Sequence, residues 1–321
     1  MMSKLDIVDF HTHFLPPGWE VYRAPGRSVD PLWQRVGTRI SDLDALIADS
    51  DAAGISQRVI GVALAMVAAP DADLRHVSRR LNDDLAATVA RHPDRLFALA
   101  TVDAFDGEEA AKEARRAILE LGLSGLFLDS AKGDRLLDAP EARPVLKVAA
   151  ELSVPVFVHP INPEPLATQL SGLGRLGTRL SRGTINAAAA IALVTSGVFE
   201  ELPDLRVVIT ALGVSALALT GPFGELPSIF AGAPAGQRRH LYIDIMPAEA
   251  RFIRFVTSLV GADHVLTGSD WPILGHDPTQ EILARAFDAA GLSGHDAQLI
   301  AGQNALDLLQ RRKAQQAKFS A

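Results

Sequence analysis

Short apolar runs alternate with longer amphipathic stretches along most of this chain, and that rhythm predicts buried strands separated by helices. The first run, Leu5 to Phe10, reads as a strand cut off by Pro16 and Pro17. From Ser41 the pattern is regular. Ser41 is the expected cap of a helix whose apolar side is Leu43, Leu46, Ile47 and Ala53, and Gly54 ends it. Strand Arg58 to Leu64 follows, then helix Asp73 to Arg91, strand Leu96 to Val102, helix Glu108 to Leu121, strand Gly125 to Leu128, helix Glu141 to Leu152 and strand Val154 to Val158. Beyond a glycine-rich loop the pattern resumes with strands Arg206 to Ile209 and Leu241 to Ile245, helix Ala248 to Leu259, strand Val265 to Thr267 and helix Thr279 to Ala290.

Eight such strands fit either a closed (β/α)8 TIM barrel or a doubly wound open sheet. The polar residues decide between them. His11 and His13 follow strand one, His159 follows strand five and Asp270 follows strand eight. Only a barrel brings its last strand against its first, so that all four side chains meet. The expectation is one α/β barrel domain over residues 1–321, with a lid-like insertion after strand one at 14–40 and a polar tail at 311–321. The aperiodic part of the insertion, Gly18 to Thr38, carries Trp19, Tyr22, Trp33, Arg23, Arg27 and Arg35, suited to gripping a flat or anionic substrate.

Composition narrows the chemistry. The 321 residues include no cysteine, so disulfides, thiolate metal sites and a cysteine nucleophile are excluded. Any metal must be held by His and carboxylate. The net charge of -7 comes from interspersed acidic and basic residues, with no basic stripe for nucleic acid. No apolar run reaches membrane-spanning length and Met1 to Asp9 lacks the form of a secretory leader, so the expectation is a cytoplasmic protein free of membrane and nucleic acid.

Alternation along a strand points His11 and His13 the same way. Alone, His159 also fits a structural histidine, and Asp270 a helix cap. Together, three imidazoles and a carboxylate at strand ends match a site for one divalent metal, zinc first, with Mn2+, Co2+ or Fe2+ admitted. Strand four ends without a lysine, so a lysine-bridged pair of metals is not expected, with Lys132 the nearest candidate. His276, after Asp270, is a candidate for the barrel mouth, and Arg175, Arg179 and Arg182, in the glycine-rich loop, are candidates to meet a substrate carboxylate.

Several stretches resemble the amidohydrolase superfamily, in the branch of 2-amino-3-carboxymuconate-6-semialdehyde decarboxylase and related non-oxidative decarboxylases. They are His11-Thr12-His13-Phe14-Leu15-Pro16, Leu81-Asn82-Asp83-Asp84-Leu85-Ala86, Phe157-Val158-His159-Pro160, Ser196-Gly197-Val198-Phe199-Glu200, Gly268-Ser269-Asp270-Trp271-Pro272 and Asn304-Ala305-Leu306. The resemblance implies a barrel, most often with zinc, commonly as a homodimer. It makes His11, His13 and His159 metal ligands and Asp270 a fourth ligand or a proton carrier. It also implies a catalytic histidine after strand six, and counting from Pro203 that histidine falls on Ala211. The alanine is expected to be either an introduced His→Ala exchange or a natural divergence. The implied activity is decarboxylation of a small aromatic or unsaturated carboxylic acid, the alternative being hydrolysis of a lactone, amide or cyclic substrate.

Overall fold

The computed structural model describes residues 4–22, 31–220, 240–246, 248–275 and 277–310. In chain order its main elements are β1 (Ile7–His13), α1 (Leu43–Ala53), β2 (Ile55–Gly61), α2 (Leu74–Arg91), β3 (Leu96–Ala98), β4 (Ala100–Thr101), α3 (Glu108–Leu119) and β5 (Leu126–Asp129). They continue with α4 (Arg143–Glu151), β6 (Pro155–His159), α5 (Gly174–Thr195), β7 (Arg206–Ile209), β8 (Leu241–Ile245), α6 (Ala250–Val260), β9 (Val265–Thr267) and α7 (Gln280–Ala290). β1, β2 and β3 form one parallel sheet, and β9-β8-β7-β6-β5-β4, in that order, form a second.

The two sheets meet at both edges. The expected single strand Leu96 to Val102 is instead two pieces, because the chain changes neighbours at Leu99. The Leu99 N–H donates to Ile60, whereas the Ala100 N–H donates to Gly125. At the other edge Asp270 N–H donates to the His11 carbonyl and His13 N–H to the Trp271 carbonyl, both at 2.8 Å, and Thr12 bridges Trp271 in parallel. The polar groups of these edges are thereby satisfied by the facing chain rather than by water.

The buried side chains explain why the strands hold. β1 is buried along its whole length, as a strand covered on both faces must be. Leu5, Ile7, Phe14 and Leu15 join the strand and helix residues Leu46, Ile60, Leu81, Leu85, Val156 and Phe287 in the apolar core. The helix ends show local chemistry at work. Asp73 caps α2, and Gly54 and Gly291 close α1 and α7 in the left-handed conformation that costs glycine little.

Three expectations need correction. Asp42 rather than Ser41 caps α1, accepting from Ala45 N–H, while Ser41 ends a 3-10 turn. The insertion at 14–40 is anchored at both ends. Phe14 and Leu15 are core residues, Val36 and Ile40 are buried beside them, and Leu15 N–H donates to the Ile40 carbonyl. The supposed glycine-rich loop is the long helix α5. Its Gly183 and Gly177 allow close backbone approach, since an added Cβ would lie 2.6 Å from the Leu212 carbonyl oxygen and 2.0 Å from that of Leu170. The polar tail at 311–321 lies outside the described residues.

Candidate active site

The carboxyl ends of β1, β6 and β9 deliver the four anticipated side chains to one place. His11, His13 and His159 are 2, 2 and 3% exposed, and each offers a ring nitrogen within 4.8 Å of the others. Asp270 Oδ1 lies 3.1 Å from His13 Nε2 and 3.6 Å from His11 Nε2. Phe157 packs edge-on against His11 at 4.8 Å between ring centroids, and Phe127 packs against His159 at 5.1 Å. The imidazoles therefore stand on an aromatic floor.

Asp270 is set by a buried network one layer below. Its φ of 56° is unusual for a residue with a side chain, although aspartate tolerates it better than most. Next to it, Ser269 donates its N–H and hydroxyl to Asp9, and Asp9 also accepts from the His11 N–H, the Thr12 hydroxyl and Arg58. Arg58 is completely buried and also reaches Ser50, Ser269 and Asp277. A buried guanidinium is tolerated here because two carboxylates and two serine hydroxyls surround it.

Asp244, at the end of β8, was not anticipated. One of its oxygens takes the His11 Nδ1 proton at 2.7 Å and the other takes the Ala211 N–H at 2.7 Å. A proton held on Nδ1 leaves the Nε2 lone pair of His11 facing Asp270. Gly268 makes the arrangement possible, because a Cβ there would stand 2.9 Å from the His11 Cβ and 3.3 Å from the Asp244 Cβ. Asn186 of α5 was missed as well. It donates to the Val158 carbonyl and accepts from the Thr210 N–H and hydroxyl, tying the ends of β6 and β7 together.

Burial and charge act on these groups in opposite directions. Burial lowers His13 and, more strongly, His159, which keeps both imidazoles neutral. Burial also works against the charged form of His11, yet the Asp244 carboxylate outweighs it and the pKa is raised. Burial opposes ionisation of Asp270, but the His13 hydrogen bond and the positive field of the site hold it below the usual carboxylate range. Asp129, at the end of β5, is pushed up to about 6 by burial, against the lowering effect of a hydrogen bond from the Ala65 N–H.

Buried nitrogens without a hydrogen-bond partner are rare in folded proteins, and each of the three histidines carries one: His11 Nε2, His13 Nδ1 and His159 Nδ1. Three buried imidazoles gathered beside an ionised carboxylate fit a divalent transition metal. Lys132 is no part of this group, since its side chain is 46% exposed and bonded to Asp103.

Above the cluster opens a cavity of about 550 Å3, walled by the histidines, Asp270, Tyr22, Trp33, Met66, Leu212 and Met246. That volume suits a small organic molecule. Arg182 enters it from α5, with its guanidinium 3.2 Å from His159 Nε2, and burial lowers its pKa. Trp19 corrects another expectation. Its indole donates to Asp84 and is covered by Arg80, outside the cavity wall, because the chain turns away after Pro16. Arg23, Arg27 and His276 lie outside the described residues. Ala211 is buried at the start of the turn after β7, held by its own N–H to Asp244.

A parallel-stranded α/β fold with histidines and an aspartate gathered at strand ends is the architecture of metal-dependent barrel enzymes. The chain belongs to the Amidohydrolase family, whose model matches residues 8–311. Curated relatives include a 2-amino-3-carboxymuconate-6-semialdehyde decarboxylase from Dictyostelium discoideum, 25% identical, covering 83% of this chain and 81% of that protein. A gamma-resorcylate decarboxylase from a Rhizobium species is 27% identical, covering 85% and 89%. In fold the chain matches a dihydroxybenzoic acid decarboxylase from Polaromonas, solved with bound manganese and the inhibitor 2-nitroresorcinol. That match has a TM-score of 0.77 at 22% identity and covers 95% of this chain and 97% of the other.

Proposed function

We propose that this protein is a metal-dependent, non-oxidative decarboxylase of a small aromatic or unsaturated carboxylic acid. The observation that carries the reading is the convergence of His11, His13, His159 and Asp270 on the floor of a cavity that Arg182 also enters. The curated relatives named above are decarboxylases, and that supports a carboxy-lyase over a hydrolase. His11, His13 and His159, with Asp270 beside them, would hold one divalent ion. Zinc suits this donor set, and manganese is the ion of the Polaromonas relative. When bound, the ion supplies Lewis acidity that anchors the substrate's oxygens and stabilises negative charge.

The residues then have separate tasks. Arg182 pairs with the carboxylate and orients it against the cluster. Asp270, ionised at neutral pH, takes up a proton from solvent and hands it to the ring or vinyl carbon. That carbon gains the hydrogen as its bond to the carboxyl carbon breaks, and carbon dioxide leaves. The apolar walls exclude water from the developing charge. With Ala211 in place of the family's histidine, Asp270 carries the proton alone, and turnover is lower by a factor on the order of 10² to 10⁴.

The same proposal includes a closed eight-stranded barrel, supported by the hydrogen bonds between β1 and the residues after β9, and a cytoplasmic homodimer. No described helix is long and apolar enough to cross a membrane. The test is elemental analysis of purified protein followed by product analysis on hydroxybenzoates and unsaturated acids. About one metal per chain and release of carbon dioxide are expected. Ring opening or amine release would replace this reading with the hydrolase, and failure to take up metal would remove it.

A further inference from the structure

Helix α5 gives the cavity more positive charge than one carboxylate uses. Arg175, Arg179 and Arg182 all line it and stand at the spacings that share one helix face. Arg182 lies deepest, against His159. Arg179 is about 4.5 Å and Arg175 about 10 Å further along the axis, at 1.5 Å per residue. Both are exposed at the rim, and among the described residues neither has an ion-pair partner. Many other surface arginines are paired, as Arg75 is with Asp106, Arg115 with Glu151 and Arg116 with Glu113 and Asp83. Asp270 is the only acidic side chain among the described lining residues, against three arginines in the same wall.

We infer that the substrate carries a second anionic group, held by Arg179 and Arg175 while its reacting carboxylate lies between Arg182 and the histidine cluster. This rests on the decarboxylase reading and narrows it to dicarboxylic acids or acids of equivalent charge. The three-residue step from Arg182 to Arg179 separates the two anion positions by about the width of one ring or diene. A row of like charges along one helix face is unfavourable by itself, and a dianion lying along it offsets that repulsion. Arginine forks also fix carboxylates directionally, so the outer pair sets which end of the molecule enters first.

The test is isothermal titration of the full-length protein, as purified, with benzoate and with benzene-1,3-dicarboxylate, read as the ratio of their affinities. The dicarboxylate is expected to bind at least about tenfold more tightly, with the advantage shrinking as salt is added. In Arg175→Gln/Arg179→Gln the ratio is expected to fall toward one. Both positions are exposed on the helix, so an unchanged melting temperature shows that the variant is folded. Equal affinities in the unaltered protein, or an advantage that survives the double substitution, would overturn the inference. Because binding is read without turnover, failure here is distinct from failure to release carbon dioxide, which bears on the reaction itself.

Discussion

Asp244→Asn tests the site through a residue that touches neither the cavity nor the substrate. The two oxygens of Asp244 accept from His11 Nδ1 and from the Ala211 N–H, each at 2.7 Å, with no exposure to water. An asparagine has one acceptor oxygen, so it satisfies one donor and turns its NH2 group toward the other. If the oxygen stays on Ala211, the amide NH2 faces His11 and drives the ring proton from Nδ1 to Nε2. That nitrogen is the one that must carry a lone pair to bind a metal. Loss of such an outer carboxylate partner typically lowers metal affinity by about 10- to 100-fold. If the amide turns the other way, the Ala211 N–H is left buried and unpaired, at a cost of about 1–3 kcal/mol. Competition with a chromophoric chelator measures the first effect and urea unfolding of the metal-free protein the second. Asp244→Asn with unchanged metal affinity and unchanged metal-free stability would refute the reasoning, because one of the two donors must lose its acceptor.

Ala211→His is expected to raise turnover by about 10²- to 10⁴-fold with little change in metal content, measured by carbon dioxide release and elemental analysis. Gly268→Ala places a methyl 2.9 Å from the His11 Cβ, and overpacking at that distance should cost about 1–3 kcal/mol in urea unfolding and weaken metal binding as well. Arg58→Met leaves Asp9 buried without its cation and should destabilise the fold by about 3–5 kcal/mol, read by chemical denaturation. Removing the metal with a chelator should lower the melting temperature, with recovery on adding zinc or manganese, since an ion that binds only the folded chain stabilises it.

The readable part of the site was local. His11 and His13 sit two apart on a strand, and His159 and Asp270 stand where an apolar strand breaks off, so each announces itself within a few residues. Strands β7, β8 and β9 were legible to the residue because Arg206, Leu241 and Val265 each open a compact apolar run. The illegible parts depended on distant partners. Asp244 lies within an apolar strand and is explained only by His11, which is 233 residues earlier. A buried carboxylate requires a partner, so the sequence held the question but not its answer. Helix α5 escaped because glycines at 174, 177 and 183 lower helix propensity by about 1 kcal/mol each, while those at 177 and 183 serve close contact with backbone from other elements. Trp19 was misassigned because a composition rich in aromatics and arginine does not say which way the chain turns.

The same distant partners link the floor of the site to its proton chemistry. Asp244 holds His11 through one oxygen and residue 211 through the other, so the histidine cluster and the turn at residue 211 share a single carboxylate. Asn186 fastens Thr210, the residue just before, to the end of β6 beside His159. Exchanging the side chain at 211 leaves both of these backbone attachments in place, because each is made to the main chain or to its neighbour. A turn anchored in this way has no need to rearrange when the side chain at 211 changes. This is consistent with an intact cluster of three histidines and Asp270 alongside Ala211, and it is why a histidine introduced there should raise turnover without rebuilding the site.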